Sequence, residues 1–311
     1  MARIVIIDLG TNTFNLLIAE IADDHSYKII HNDKIAVKLG EGGINTNIIA
    51  PVPFQRGIEA MQAYLEISRK YNPEKIFAFA TSAVRSAKNG QEFVAEIKKK
   101  TGIEVNIISG DQEAELIYEG VRKALDLGTG KVLVMDIGGG STEFIICNNE
   151  QIFWKHSFDL GVSRMYEFFR HSEPITAEEI RKVNDFFKEK LAPLVEAHRQ
   201  FHFDALIGSS GSFDTFAEMI LCRFYRSENL KDKTSYEFRT EDFFKIHDTI
   251  IQTNLEERHN MEGLIEMRVD MIVLASLFVN FILGEFGLKK MTLSTYALKE
   301  GILSELTKES H

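Results

Sequence analysis

The chain has 311 residues, of which 44% are hydrophobic and 26% are charged, a balance that is typical of globular proteins and argues against disorder. At roughly 150 residues per domain, this length predicts about two domains. The formal net charge of −10 makes nonspecific nucleic-acid binding a poor hypothesis, because an acidic surface repels a phosphate backbone.

The cysteine content and the apolar segments suggest a compartment. The two cysteines, Cys147 and Cys222, show no CxxC spacing, so we expect reduced thiols and no structural zinc or redox motif. The start of the chain lacks the long apolar stretch of a signal peptide. The longest apolar stretch, residues 271–283, is too short to span a bilayer. We therefore expect a soluble cytoplasmic protein with no membrane partner and no nucleic-acid partner.

The first part of the chain alternates strand and helix signals. Residues 3–8 and 14–21 are rich in β-branched residues and flank a glycine turn, which predicts a hairpin. Asp111 is a plausible N-cap for the last helix of this part. The remaining predicted elements are a strand over 27–38, a helix over 53–70, a strand over 75–80, a helix over 91–100, a strand over 104–108 and a helix over 111–125.

The opening hairpin pattern recurs after a shift of 128 residues. The shift places Asp8 on Asp136 and Gly10 on Gly138, and the flanking apolar residues match in character. A repeat at about half the chain length indicates two copies of one structural unit. Two such α/β units are expected to face each other across a cleft.

The second part of the chain has the same mixture of strand and helix signals. Thr176 and Glu179 have the spacing of a capping box before a long helix. The alternation indicates an α/β protein. The predicted strands cover 131–136, 143–147, 153–160, 204–208 and 291–294, and the predicted helices cover 176–201, 213–222, 241–253, 269–286 and the end of the chain.

The two glycine turns suggest a chemistry. Backbone N–H groups approach an anion closely where no Cβ intervenes. Asp8 and Asp136 each end a strand just before such a turn, and two carboxylates aimed into one cleft repel unless a cation lies between them. Magnesium prefers carboxylate, water and phosphate oxygens. A single turn is as well explained by a structural hairpin, but two in register favour a phosphate and metal cleft.

Six ordered segments carry a resemblance that runs along essentially the whole chain. They resemble the phosphate loops and linked motifs of the actin/Hsp70/sugar-kinase superfamily, and more closely those of the Ppx/GppA family of exopolyphosphatases and guanosine pentaphosphate phosphohydrolases. The segments are 8–13 (DLGTNT), 80–85 (ATSAVR), 108–114 (ISGDQEA), 136–143 (DIGGGSTE), 207–211 (IGSSG) and 268–270 (RVD).

The resemblance implies a fold and an activity. The implied fold is α/β, with two duplicated ribonuclease-H-like lobes around a central cleft. We expect the lobes at 1–124 and 125–311, with a last helix at about 297–311 that packs back on the first lobe. The implied activity is magnesium-dependent hydrolytic release of the terminal phosphate from a polyphosphate chain or from guanosine pentaphosphate, and inorganic polyphosphate is the favoured substrate.

The resemblance also assigns roles to individual residues. Glu113 falls on the water-activating glutamate of the family, and Arg85 falls on an arginine that contacts the scissile phosphate. Asp8, Asp136 and Glu143 fall on acidic positions around the metal and the attacking water, so Glu143 is expected to serve both catalysis and metal binding. The phosphate-binding residues are expected to be Gly10, Thr11, Asn12, Thr13, Gly138, Gly139, Gly140, Ser141, Ser210 and Gly211.

Several residues keep a plain structural interpretation beside the functional one. Glu113 could be a helix N-terminal charge, Arg85 a surface ion pair, and Glu143 a solvent-facing strand residue. Arg164 either contacts a phosphate or is exposed, and exposure is slightly favoured. Residues 41–43 either line the mouth of the cleft or form a plain loop, and Ser210 with its neighbours either binds an anion or caps a helix.

Two positions depart from the family pattern. Gln112 stands where many relatives have a second glutamate, which leaves Glu113 as the one candidate base. Lys299 stands within Ala-Leu-Lys-Glu-Gly where the family usually has Gly-Leu-Arg-Glu-Gly, which weakens any role for an arginine there.

Three rival functions stay open from the sequence. The first is hydrolysis of guanosine pentaphosphate, since no base-reading motif is visible. The second is an ATP-dependent kinase or ATPase on the same superfamily fold, and the third is a catalytically silent nucleotide-sensing protein. The 23 phenylalanines fit a large core better than a homodimer face, and a homodimer is kept as an alternative.

Overall fold

Two β-sheets of the same topology form the framework of the molecule. The computed structural model describes residues 2–308. The first sheet has the strand order β3-β2-β1-β4-β5, in which β1, β2 and β3 are antiparallel neighbours and β1, β4 and β5 run parallel. Its strands are β1 (Ala2–Leu9), β2 (Thr13–Ile21), β3 (Tyr27–Ala36), β4 (Lys75–Ala80) and β5 (Val105–Ile107).

The second sheet repeats that order and adds one strand. Its order is β10-β11-β9-β6-β7-β8, so that β8-β7-β6-β9-β11 corresponds to β3-β2-β1-β4-β5. Here too the first three strands form antiparallel hairpins, and β6, β9 and β11 run parallel. Its strands are β6 (Val132–Ile137), β7 (Thr142–Cys147), β8 (Ile152–Phe158), β9 (Ala205–Ser209), β10 (Ser235–Phe238) and β11 (Lys290–Ser294).

The helices surround the sheets and also lie between them. Two short 3₁₀ turns, Ile44–Thr46 and Glu266–Arg268, accompany the α-helices. The α-helices are α1 (Pro51–Arg69), α2 (Ser82–Ser86), α3 (Gly90–Thr101), α4 (Gly110–Ala124), α5 (Val162–Phe169), α6 (Ala177–Lys190), α7 (Ala192–Phe201), α8 (Gly211–Phe224), α9 (Thr240–Gln252), α10 (Leu255–His259), α11 (Ile272–Glu285) and α12 (Leu298–Lys308).

The hydrophobic core has three parts. One packs α1 and α3 against the outer face of the first sheet, and a larger one packs α5 to α9 and α11 against the outer face of the second. The third contains α4 and α12 between the inner faces of the two sheets. We call the first sheet with α1 to α3 the first lobe, and the second sheet with α5 to α11 the second lobe. The α/β fold class with two duplicated lobes around a cleft is thereby confirmed.

The helices α4 and α12 cross at two glycines. A Cβ on Gly120 would overlap the backbone carbonyl of Ala297, and a Cβ on Gly301 would overlap that of Leu116. Only glycine therefore permits this close approach. The last helix packs on α4 and on β1 and β2 of the first lobe. The boundary at residue 124 stays a prediction, and the last three residues of the expected helix over 297–311 lie outside the described residues.

The repeat predicted from the sequence appears as two matching turns. The Gly10 N–H donates to the Thr13 carbonyl at 3.1 Å, and the Gly138 N–H donates to the Ser141 carbonyl at 3.0 Å. A Cβ on either glycine would lie 2.8 Å or 2.9 Å from the acceptor oxygen. We call residues 10–13 the first turn and residues 138–141 the second turn.

Most predicted elements are confirmed within a few residues, but two predictions are wrong. The helix predicted over 176–201 is broken at Leu191, because Pro193 in the first turn of α7 has no N–H to continue the hydrogen-bond ladder. The N-cap of α4 is Ser109, not Asp111, because Ser109 forms a capping box with Gln112. The sequence analysis did not find α2, α5, β10 or α10.

The capping box of Thr176 and Glu179 is confirmed at the start of α6. Among residues 2–308, no helix is both long enough and apolar enough to cross a membrane.

Candidate active site

The two turns meet at a cavity between the lobes. Its volume is about 180 Å³, and polar groups of both turns line it. All ten residues expected to bind phosphate lie on its wall, together with Glu113, Asp8 and Asp136. Arg85 and Glu143 are not on this wall. The structure thus brings most of the expected site residues together on one cavity wall, and it places Arg85 and Glu143 behind that wall.

The tips of the two turns approach each other closely. A Cβ on Gly139 would lie 2.8 Å from the Thr11 Cβ, and a Cβ on Gly140 would lie 2.6 Å from the Ser82 hydroxyl. These distances are too short for any residue with a side chain, so the glycines are required for the lobes to close this far. Glycines in both turns therefore keep their backbone N–H groups accessible to an anion in the cleft.

Buried Glu113 and half-buried Arg85 form an ion pair beside the cavity. Glu113 lies in the first turn of α4, where the capping box fixes its direction, and only 7% of its surface is exposed. Arg85 on α2 donates from Nη1 to Glu113 Oε2 at 2.8 Å and to the Ile108 carbonyl at 3.1 Å. Gln112 is exposed and serves the cap, so Glu113 is the glutamate that faces the cavity.

Arg85 faces a separate surface pocket. That pocket is lined by residues at the start of α4 and by His156, Ser157 and Asp159. Both hydrogen bonds of Arg85 come from Nη1, so in this structure its guanidinium holds the Glu113 carboxylate and does not line the cavity.

Asp8 and Asp136 occupy equivalent places in the two lobes, next to the two turns. Asp8 accepts one hydrogen bond from Asn15 Nδ2 at 3.0 Å, while its other oxygen, Oδ1, is buried without a partner. Burial raises the pKa of Asp8 to about 6. Burial, followed by the charge of Glu143, raises the pKa of Asp136 to about 7.

Glu143 is held behind the second turn. Its Oε1 accepts hydrogen bonds from the hydroxyls of Ser141 at 2.7 Å and Ser157 at 2.6 Å, and the residue is 1% exposed. Burial raises the pKa of Glu143. Burial also raises the pKa of Glu113 well above its usual value, and Glu143 is the next largest cause. The cleft thus brings several carboxyl groups together, and a bound cation or a bound proton would reduce the repulsion between their negative charges.

The residues present fit a magnesium ion held jointly by protein and substrate. Within residues 2–308, no three acidic, histidine or cysteine side chains cluster closely enough to hold a metal alone. The unpartnered Oδ1 of Asp8 and the nearby Asp136 nevertheless offer hard oxygen donors with raised pKa values. Magnesium is usually bound by one or two carboxylates together with waters and phosphate oxygens. One oxygen of Glu143 is already bonded to two hydroxyls.

The cavity also contains cations that the sequence analysis did not assign. Arg268 lies on its wall with its Nε unpartnered, and a Cβ on Gly211 would overlap its guanidinium. Lys299, on α12, also lines the cavity and pairs with Glu300 at 2.6 Å. Both lie in segments that the resemblance had singled out, so the motif 268–270 and the departure at Lys299 were the available signals.

Arg164 and residues 41–43, which were considered for the mouth of the cleft, both lie away from the cavity wall. Arg164 is neither exposed nor on the cavity wall, because its guanidinium bonds to the carbonyls of Gly140 at 3.1 Å and Ile44 at 2.9 Å. Residues 41–43 do not line the cavity, and the Gly42 N–H donates to Glu167 at 2.7 Å.

Comparisons with known proteins agree on one family. Residues 17–310 match the model of the Ppx/GppA phosphatase family. A putative exopolyphosphatase of Haemophilus influenzae is 28% identical, and the match covers 98% of this chain and 92% of that protein. A guanosine-5'-triphosphate,3'-diphosphate pyrophosphatase of Photobacterium profundum is 27% identical, over 96% of this chain but only 58% of that longer protein.

The crystal structure of an exopolyphosphatase from Cytophaga hutchinsonii is 37% identical in sequence and superposes with a TM-score of 0.96. The match covers 99% of this chain and 98% of that one.

Proposed function

The chain belongs to the Ppx/GppA phosphatase family, and from this membership together with the geometry of the cleft we propose that it is a magnesium-dependent exopolyphosphatase. It is a phosphoanhydride hydrolase. In the proposed reaction, water attacks the terminal phosphorus of inorganic polyphosphate, and the bond to the bridging oxygen breaks. The products are inorganic phosphate and a chain shortened by one unit.

The observation that carries the proposal is the position of Glu113. Glu113 lies on the wall of a cavity that is also lined by both glycine turns. Phosphoryl transfer needs positioning and charge stabilisation more than covalent chemistry. A carboxylate on the same wall as two glycine turns suits activation of a water molecule for in-line attack on a phosphate held by those turns.

Each residue of the site takes a distinct part in this mechanism. The backbone N–H groups of the two turns bind and orient the phosphate oxygens. Glu113 accepts a proton from the attacking water, and Arg85 fixes the orientation of its carboxylate through the 2.8 Å bond. Arg268 and Lys299 on the cavity wall offset the negative charge of the chain.

Asp8 and Asp136 are the residues that would hold magnesium, and Glu143 supports the site from behind the second turn. When bound, the ion supplies charge neutralisation for the phosphate oxygens.

Polyphosphate is favoured over guanosine pentaphosphate by the lining of the cavity. Among its described lining residues none is aromatic, so no aromatic side chain on this wall offers a surface on which guanine could stack. The name of the Photobacterium relative keeps guanosine pentaphosphate as the second candidate.

Comparison of kcat/KM for the two substrates tests the preference for polyphosphate. Phosphate release from a polyphosphate of defined length is measured with malachite green, and release from guanosine pentaphosphate is measured at equal concentration of phosphate termini. We expect kcat/KM to be higher for polyphosphate. A higher value for the nucleotide would reverse the assignment, and hydrolysis of neither would reject the proposal.

Calorimetric titration addresses the two remaining rivals. A kinase or ATPase should bind ATP and turn it over, whereas a silent sensor should bind ligand tightly without phosphate release. We extend the proposal to a cytoplasmic location, since Cys147 and Cys222 are both free thiols.

A further inference from the structure

The helix α5 begins directly on the second turn. The N–H groups of Val162 and Ser163 donate to the carbonyls of Gly138 and Gly139 at 3.0 Å and 2.9 Å, and the N–H of Arg164 also reaches Gly139 at 3.2 Å. The first backbone N–H groups of α5, which have no acceptor within the helix, therefore bind carbonyl groups of the second turn. This leaves the N–H side of the turn directed to the cavity.

The side chain of Arg164 connects this turn to the other lobe. Its Nε donates to the carbonyl of Gly140 in the second turn at 3.1 Å, and its Nη1 donates to the carbonyl of Ile44 in the first lobe at 2.9 Å. The side chain is 15% exposed. The backbone carbonyl of Arg164 also accepts a hydrogen bond from Asn45 Nδ2 at 3.1 Å. Together with its N–H bond to Gly139, Arg164 thus makes two hydrogen bonds to the second turn and two to the first lobe.

Other residues of α5 contact the first lobe as well. The Ser163 hydroxyl donates to Asn12 Oδ1, in the first turn, at 2.6 Å. One turn further along the helix, Glu167 accepts the Gly42 N–H at 2.7 Å. The helix therefore touches the first turn and the segment 42–45 while it is bonded to the second turn.

We propose that α5 couples closure of the two lobes to the shape of the second turn, and that Arg164 is the positioning residue of this coupling. The inference rests on the proposed function in so far as the second turn binds substrate phosphate. When the lobes separate, the bond to Ile44 breaks, and the guanidinium keeps only its contacts within the second lobe, which are the bond to Gly140 and the 3.6 Å ion pair with Asp159. The turn then has its binding geometry only in the closed state.

The chemistry of the guanidinium explains why arginine suits this place. It carries donors in a rigid planar fork, so that it reaches two carbonyls in different directions at once. A lysine in its place has one compact ammonium group on a flexible stem. It cannot hold two carbonyls from two lobes in a fixed relation. Substitution of Arg164 by lysine therefore keeps the positive charge but removes the paired hydrogen bonds to the two carbonyls.

The test compares Arg164→Ala and Arg164→Lys with Arg170→Ala as the matched control. Arg170 directly follows the same helix and is exposed, and its side chain donates to the Glu167 carbonyl of that helix. We expect both Arg164 variants to lose about 10²-fold in kcat/KM on polyphosphate, since a displacement of about 1 Å at a reacting group has an effect of this size. We expect Arg170→Ala to stay within about twofold of the unsubstituted enzyme.

Lobe closure is measured separately, by the distance between spin labels on cysteines substituted for the exposed residues Gln62 of α1 and Lys188 of α6, with Cys222→Ser as background. The distance is recorded with tripolyphosphate and without it. We expect both Arg164 variants to move population from the short to the long distance, and tripolyphosphate to restore it only in part.

Three outcomes would overturn the coupling: a full rescue by lysine, a loss of kcat/KM without a change in distance, or a change in distance without a loss of kcat/KM. If the unsubstituted enzyme hydrolyses no polyphosphate, the proposed function fails. The distances with tripolyphosphate still decide between coupled and independent lobes.

Discussion

Substitution of the proposed base is the sharpest test of the mechanism. In Glu113→Gln, the amide oxygen keeps an acceptor for Arg85, whose Nη1 lies 2.8 Å from the present carboxylate, so the substitution removes the negative charge of residue 113 and keeps the hydrogen bond. What is lost is the ability to accept a proton from water. A positioned general base contributes about 10²–10⁴-fold. We expect kcat to fall by that factor, which corresponds to about 2.7–5.4 kcal/mol of activation free energy.

The same substitution should not weaken the fold. Glu113 is buried and its pKa is raised well above the usual value, so the folded state favours its neutral form. A neutral glutamine mimics that form, and we expect the variant to unfold at an equal or higher temperature than the unsubstituted enzyme above neutral pH. Binding of tripolyphosphate, measured by calorimetry, should persist.

Phosphate release is followed with malachite green under saturating polyphosphate across about pH 6–9, since the base must be ionised to act. Glu115→Gln is the matched control, because Glu115 lies on the same helix with its side chain 57% exposed and pairs with Lys155. A Glu113→Gln variant with kcat within about threefold of the unsubstituted enzyme would remove Glu113 from the chemistry.

Three further predictions follow from the electrostatics and the packing. Glu143→Gln removes a charge that raises the pKa of Glu113, so the acid limb of the kcat/KM profile should move to lower pH; an unmoved limb would show that the two carboxyls do not interact. The pKa of Asp136 is raised to about 7, whereas the same carboxyl in the unfolded chain titrates near its usual pKa of 3.8. Between these values the folded state holds a proton that the unfolded chain has released. The free energy of unfolding should therefore fall as pH rises from about 5 to 7. That slope, about 1.4 kcal/mol per pH unit for each such carboxyl, should be smaller in Asp136→Asn by urea titration, and an equal slope would refute the assignment. Gly301→Ala should destabilise the fold by about 3 kcal/mol, because its Cβ would overlap a backbone carbonyl of α4. The control is Gly284→Ala on α11, where a Cβ meets no other atom, and this variant should be neutral or more stable. Equal unfolding temperatures for the two variants would contradict this account of the helix crossing.

The local elements and the duplication were predictable from the sequence. The shift that places Asp8 on Asp136 identified both turns, because a glycine turn between two β-branched strands is a local signal. The capping box of Thr176 was found for the same reason, since its two partners are three residues apart. The break before Pro193 was missed because helical periodicity continues through it, although the missing N–H is itself a local cause.

The cavity wall depends on residues distant in the chain. The sequence marked Arg268 and Lys299 only as members of motifs, and their approach to the turns follows from the fold. Arg85 was expected to contact the phosphate, but in the structure it bonds to Glu113 and faces another pocket. The roles of these residues stay predictions.

The sequence by itself determined that the chain contains two related α/β units with glycine turns ready for an anion. Those properties depend on backbone conformation and on neighbours within a few residues. The tertiary structure alone decided that Arg164 bridges the lobes and that Gly120 and Gly301 let two helices cross between them. The contact of Arg164 with Ile44 and the contacts of the two glycines join parts of the chain that are separated by more than one hundred residues, and side-chain type does not specify which carbonyl or which helix will lie opposite. Packing of the two sheets around α4 and α12 makes that selection.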